Sequence, residues 1–183
     1  MTVRADAKFC STRCRVANSR KKKRESDTFP TEMTSKRRFL RWKLVRRNGR
    51  TTKVPVAANG GVGSSTDSST WTDYDSAVAS HIGAGVGFSL GEGIGCIDLD
   101  GAIVDGVVQP WAQTVLDQNP NTFVEISQSG AGLHIFGLLA EQRGRVIRDG
   151  RNIEVYSVGR FIALTGRRFG ATPSRLAPLV LPV

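Results

Sequence analysis

The sequence is short of cysteine and of long apolar stretches, and each shortage excludes something. Three cysteines in 183 residues are an odd number, so no disulfide framework is expected. Cys96 falls inside an apolar run and reads as a small buried hydrophobe. Cys10 and Cys14 have no histidine nearby and offer two of the four ligands that a tetrahedral structural zinc wants, so zinc is not expected from this chain by itself. No apolar run approaches the roughly 18 residues of a membrane span. The basic start is not followed by a hydrophobic segment, so a secretory signal is not expected and the cytoplasm is the expected location.

Acids are also in deficit. The chain has 26 Lys and Arg against 16 Asp and Glu, a net charge of +10. Residues 1–50 hold 17 of those bases and four of the acids, a net of +13, while the remainder is at −3. A basic arm on a near-neutral domain suits a nucleic-acid partner, because cations placed along phosphates release condensed counterions. The densest part is Arg20-Lys21-Lys22-Lys23-Arg24, with Arg37 and Arg38 further on. A solvated tail would look the same. Around Cys10 and Cys14 the segment resembles the second half of a small zinc knuckle whose first cysteine pair is missing.

With 39% hydrophobic residues the chain can bury one core. Residues 1–34 read as an arm, 35–172 as one domain and 173–183 as a tail. Strands are predicted from Arg37 to Val45 and from Thr51 to Val56, joined at Asn48-Gly49. A helix capped at Asp67 or Ser69 is predicted through Trp71, Tyr74, Ala77 and Val78, and a second over Pro110–Gln118, with Pro110 in the first turn. Gly85–Leu90 and the following strand read as a hairpin around Gly91-Glu92-Gly93, and four further strands are expected beyond residue 120. Many strands and few helices indicate an α+β domain with a mixed or antiparallel sheet.

Three short patterns carry chemistry. In Gly95-Cys96-Ile97-Asp98-Leu99-Asp100 the alternation of a strand sends Asp98 and Asp100 to one side, two hard oxygen ligands suited to Mg2+ or Mn2+. A strand running into an acidic turn is the plainer reading. In Ser127-Gln128-Ser129-Gly130-Ala131-Gly132-Leu133-His134 the glycines permit close backbone approach, Ser129 and bare amides can bond phosphate oxygens, and His134 opens the next strand. An ordinary glycine turn would also serve. In Asn152-Ile153-Glu154-Val155 an acid sits among apolar neighbours, where it needs a metal or a partner such as Arg151 or Arg160.

Taken in order, Ile97-Asp98-Leu99-Asp100, Ser129-Gly130-Ala131-Gly132-Leu133-His134 and Ile153-Glu154 resemble the motifs of the archaeo-eukaryotic primase superfamily, specifically the primase-polymerase domain of phage and plasmid replication proteins. The resemblance covers about residues 35–170. It implies a core like the RNA-recognition motif and two-metal nucleotidyl transfer, with Asp98, Asp100 and Glu154 holding Mg2+ or Mn2+. It implies that Ser129, Gly130, Gly132 and His134 grip the incoming nucleotide, with Arg160 and Lys53 as helpers, and that the basic arm holds a single-stranded DNA template. Nucleoside triphosphates are the implied substrates, and a separate helicase or primase polypeptide the implied partner. Primer extension is the expected activity ahead of de novo priming.

Two other readings stay open. A Mn2+-dependent glycosyltransferase could use Asp98-Leu99-Asp100, although it leaves the other motifs and the arm unexplained. A catalytically silent DNA-binding accessory could keep the same fold.

Overall fold

The computed structural model describes residues 28–47 and 49–183, together with Ser11. The described residues are α+β, with two large antiparallel sheets, a two-stranded ribbon and few helices. A one-turn helix α1 (Thr31–Thr34) precedes β1 (Phe39–Arg47) and β2 (Arg50–Val56). A 3-10 turn (Ser68–Thr70) and α2 (Tyr74–Ala79) lead to β3 (Gly85–Ser89) and β4 (Ile94–Leu99). The small β5 (Ile103–Val104) and β6 (Val107–Val108) pair with each other ahead of α3 (Pro110–Gln118). Then come β7 (Val124–Ile126), β8 (Leu133–Leu138), β9 (Arg145–Ile147), β10 (Ile153–Tyr156) and β11 (Phe161–Ala163). One sheet has the order β11-β3-β1-β2 and the other β7-β8-β4-β10-β9.

Helix α3 has the predicted bounds for the predicted reason. Pro110 occupies its first turn, Ala112, Val115 and Leu116 bury one face, and the Asn119 side chain closes the end by donating to the Val115 and Val180 carbonyls. The other helix differs from expectation. Asp67 caps only the 3-10 turn, whereas Asp73 accepts from the Ser76 amide at 2.8 Å and starts α2. Trp71 therefore lies ahead of the helix, not on it.

The expected hairpin of β3 and β4 does not form, because the two strands belong to different sheets. Both edges of each are already taken: β3 lies between β1 and β11, and β4 lies between β8 and β10. Gly91, Glu92 and Gly93 all have positive φ, a backbone that glycine adopts cheaply, and they carry the chain from one sheet to the other.

One apolar cluster includes Phe39 and Phe88 of the first sheet and Cys96 and Phe136 of the second. The other includes Ile97, Leu99, Ile135 and Val155 with Ala112, Val115 and Leu116 of α3. Two segments assigned to the arm and the tail are packed on the domain. Phe29 and Met33 are buried in the first cluster, and Leu176 joins them. The backbone of Leu138 donates to Ala177 and accepts from Leu179.

Candidate active site

Strand β4 is apolar and buried except at Asp98. Ile97 and Leu99 turn into the α3 cluster, so alternation sends Asp98 the other way, as expected. Antiparallel register then extends Asp98 into a line across the sheet. Glu125 of β7 is opposite His134 of β8, His134 is opposite Asp98, and Asp98 is opposite Glu154 of β10. Cys96 and Phe136, in the neighbouring rank, belong to the core. The ionisable line begins where the apolar filling ends.

The Asp98 side chain is 18% exposed, and its Oδ1 is buried without a hydrogen-bond partner among the described residues; His134 Nε2 stands 3.8 Å away. Burial pushes its carboxyl above the ordinary value of 3.8, and the charges of Asp100 and Glu154 add to this, against the opposing pull of His134 and Arg160. A carboxylate oxygen left bare in such a place is what a bound cation would satisfy.

Glu154 is already engaged. Tyr156 Oη donates to it at 2.8 Å, Arg160 lies 3.4 Å away and Arg148 contacts its other oxygen. Burial alone would raise its carboxyl, but the Tyr156 and Arg148 hydrogen bonds and the two guanidinium charges bring it below its ordinary value. Arg160 also stacks over the Tyr156 ring at 4.7 Å. Asp100 lies one residue beyond β4, exposed, with its amide bonded to the Asn152 carbonyl. Among the described residues no three acid, histidine or cysteine side chains are gathered closely enough to hold a metal ion.

A cleft of about 550 Å³ opens beside the line, bounded by Thr51, Lys53 and Pro55 of β2, by Ser65, by Arg160 and Phe161, and by Asp98 and His134. Four residues named from sequence, Lys53, Asp98, His134 and Arg160, thus share one cavity. Lys53 lies 5.9 Å from the Trp42 ring, with its side chain at the surface.

The glycine loop stands apart from that wall. Its ends are closed by Ser127 N–H donating to the Gly132 carbonyl, and the Ser129 hydroxyl lies 3.1 Å from Ser127 Oγ and accepts from the Ala131 amide. Gly130 is at positive φ, and a side chain there would meet open space. Gly132 is needed for a different reason: a Cβ there would stand 2.8 Å from the Leu99 carbonyl oxygen and from Ser127 Oγ. The loop is thereby pressed against the end of β4.

The cations named for template contact divide. Arg37 is exposed, 3.8 Å from Asp73. Arg38 is buried and not available to a phosphate, because it donates to the Ser89 and Leu90 carbonyls at 2.8 and 2.7 Å, pairs with Glu92 and lies 4.3 Å over Trp71. Its guanidinium braces the crossing between the sheets. Cys10, Cys14 and Arg20-Lys21-Lys22-Lys23-Arg24 lie outside the described residues. Cys96 is buried, as expected, and burial together with the Asp98 and Glu125 charges pushes its thiol well up.

Sequence reasoning passed over Glu125. It is fully enclosed, with Oε1 2.9 Å from His134 Nδ1, and with Oε2 accepting from the Thr165 amide, the Thr165 hydroxyl and the Gly166 amide. A signal was present in Val124-Glu125-Ile126, an acid between apolar residues like Glu154.

No family model matches the chain. The chain is similar to the DNA primase-polymerase of Nitratiruptor phage NrS-1, 35% identical over an alignment of 144 residues that covers 72% of this chain and 20% of that protein. It therefore spans about a fifth of the length of that relative. This similarity supports kinship with the primase-polymerases and agrees with the resemblance carried by the three motifs. No helix among the described residues is long and apolar enough to cross a membrane.

Proposed function

We propose that this chain carries out template-directed nucleotidyl transfer, as the catalytic part of a DNA primase-polymerase in phage-type replication. The observation that carries the reading is the bare, buried Oδ1 of Asp98 at the wall of a cleft that also holds His134, Arg160 and Lys53. Similarity to a phage DNA primase-polymerase supports it. On this reading the core is of the archaeo-eukaryotic primase type, like an RNA-recognition motif. The substrates are nucleoside triphosphates and a single-stranded DNA template, and a separate helicase or primase polypeptide is a proposed partner. The bacterial cytoplasm is the proposed location.

The chemistry of the donors suits Mg2+ or Mn2+, since they are carboxylates with one oxygen unpartnered, although the three are not gathered around one point. Asp98 and Asp100 would hold the ions, and Glu154 would join by exchanging Arg148 for a cation. Such ions lower the pKa of an attacking hydroxyl and neutralise charge on a leaving pyrophosphate. The chain's own residues do the rest. Lys53 and Arg160, both lining the cleft, would set positive charge there and draw in a triphosphate. His134 presents Nε2 to the same space. Ser129 and the amides around Gly130 would offer donors to the same nucleotide from the loop pressed against the end of β4. Arg37 and the basic stretch Arg20–Arg24 would hold template phosphates without reading sequence.

A second reading, a silent DNA-binding module, is favoured by one observation: Glu154 is occupied by two arginines and a tyrosine. Primer extension decides between them. Wild type and the double variant Asp98→Ala/Asp100→Ala are given a labelled primer on single-stranded template with nucleotides and Mg2+ or Mn2+. Metal-dependent product lost in the variant is expected. No product from wild type, with template binding intact, would leave the silent module.

A further inference from the structure

The enclosure of Glu125 has a directional consequence for His134. Glu125 Oε2 faces two backbone amides and a hydroxyl, at 2.9 to 3.1 Å. Backbone N–H groups can only donate, so Oε2 must be an acceptor. Its other oxygen, Oε1, lies 2.9 Å from His134 Nδ1, and a side chain whose Oε2 is held by three donors is set to take a fourth, Nδ1–H, at Oε1. The His134 side chain is 6% exposed, with the Phe136 ring edge-on at 6.1 Å. Its remaining nitrogen, Nε2, is directed towards Asp98, and the residue lines the cleft.

We infer that Glu125 is a positioning residue: anchored by Thr165 and Gly166, it holds His134 with Nδ1–H donated to the carboxylate and Nε2 presented to the cleft. The link to nucleotide binding rests on the function proposed above; the link to the ring does not. Glu125 itself touches no substrate. Its effect passes through the orientation and hydrogen-bonding sense of one imidazole, in the way that a partner on the far nitrogen sets the tautomer of a histidine ligand.

The variant Glu125→Gln isolates this role, because it keeps shape and changes one atom. The three donors at the Oε2 position require an oxygen there, so the amide nitrogen of the new side chain falls opposite His134 Nδ1. A nitrogen facing an amide N–H must accept, and the ring proton is driven to Nε2. The sequence holds only two histidines, and His81 is exposed, so nitrogen-15 NMR of the rings gives one reporting signal and one internal reference.

The experiment records those ring spectra on wild type and Glu125→Gln at one pH. It then measures primer extension against nucleotide concentration for both. A proton on Nδ1 of His134 is expected in wild type, with transfer to the Nε2-protonated form in the variant. In extension, a rise of about 10-fold or more in apparent KM for nucleotide is expected, the order found for other partners of this kind, with template affinity unchanged. A bare Nδ1 in wild type overturns the inference, as does a variant ring signal identical to wild type. If Glu125→Gln does not fold, the wild-type spectrum alone decides. A protonated Nδ1 in a protein without polymerase activity would refute the proposed function while leaving the role of Glu125 in place. An altered ring with unchanged KM would refute the link between the two.

Discussion

Replacing Asp98 by asparagine should make the metal-free protein more stable, although it removes a residue of the proposed site. The side chain is mostly buried, and one of its oxygens has no partner. Leaving a buried polar group unsatisfied costs about 1–3 kcal/mol. An amide at this position relieves the charge yet still needs a partner, so a gain of about 1–2 kcal/mol is expected. For a chain of this size that corresponds to a rise in Tm of about 2–8 °C. The sign with pH follows from the direction of the carboxyl shift. Because the folded protein holds the proton of Asp98 above the ordinary 3.8, wild type bears no penalty below that value and loses stability as pH rises through the folded one. The two proteins should therefore converge in acid and separate towards neutrality. Mn2+ or Mg2+ should reverse the order, since an ion bound at 100 times its Kd adds about 2.7 kcal/mol to wild type alone. Thermal melts of both proteins across pH, with chelator or with metal, make the test. A variant less stable than wild type at neutral pH, or equal metal-induced shifts in both, would refute the account of the bare oxygen.

Arg38→Ala should cost about 2–4 kcal/mol, because a buried charged donor leaves and the Ser89 and Leu90 carbonyls lose their partner. Urea denaturation reads this directly. Affinity for single-stranded DNA, measured on the folded variant, should stay within twofold of wild type, whereas Arg37→Ala should weaken it and reduce its salt dependence. Glu154→Gln should flatten the acid limb of the stability profile. The Glu154 carboxyl is held below its ordinary 4.5, so its stabilising contribution is present above that value and is lost as pH falls through the folded one. Chemical denaturation at a series of pH values from neutral down past 4 would show the difference between the two proteins shrinking with acid. A constant difference would count against the Tyr156 and arginine contacts.

The features legible in the sequence were those that one segment decides alone. Pro110 in a first turn with Ala112, Val115 and Leu116 on one face specifies α3 without help from the rest of the chain. The alternation of Ile97, Asp98 and Leu99 likewise gives the facing of β4. Pairing partners were a different matter. Gly91-Glu92-Gly93 signals a turn, but a turn does not say whether the next strand returns to the same sheet, and competition from β1, β11, β8 and β10 decided that. Arg38 looked like one more member of a basic run; its carbonyl partners lie 51 and 52 residues away. Glu125 was hidden for the same reason. Its meaning comes from Thr165 and Gly166, 40 and 41 residues on, and from its register with His134.

The line of Glu125, His134, Asp98 and Glu154 is drawn across four strands, one residue from each, so each strand behaves like a tumbler in a lock. Adding or deleting one residue within any of them would turn its contribution to the opposite face, into the apolar cluster beneath α3. Length changes in descendants of this gene are therefore confined to places where the count does not matter, such as the segments at 139–144 and 148–152 between strands. Point substitutions can wander over the surface, but frame within β4, β7, β8 and β10 is held by geometry as strictly as the identity of the charged residues themselves.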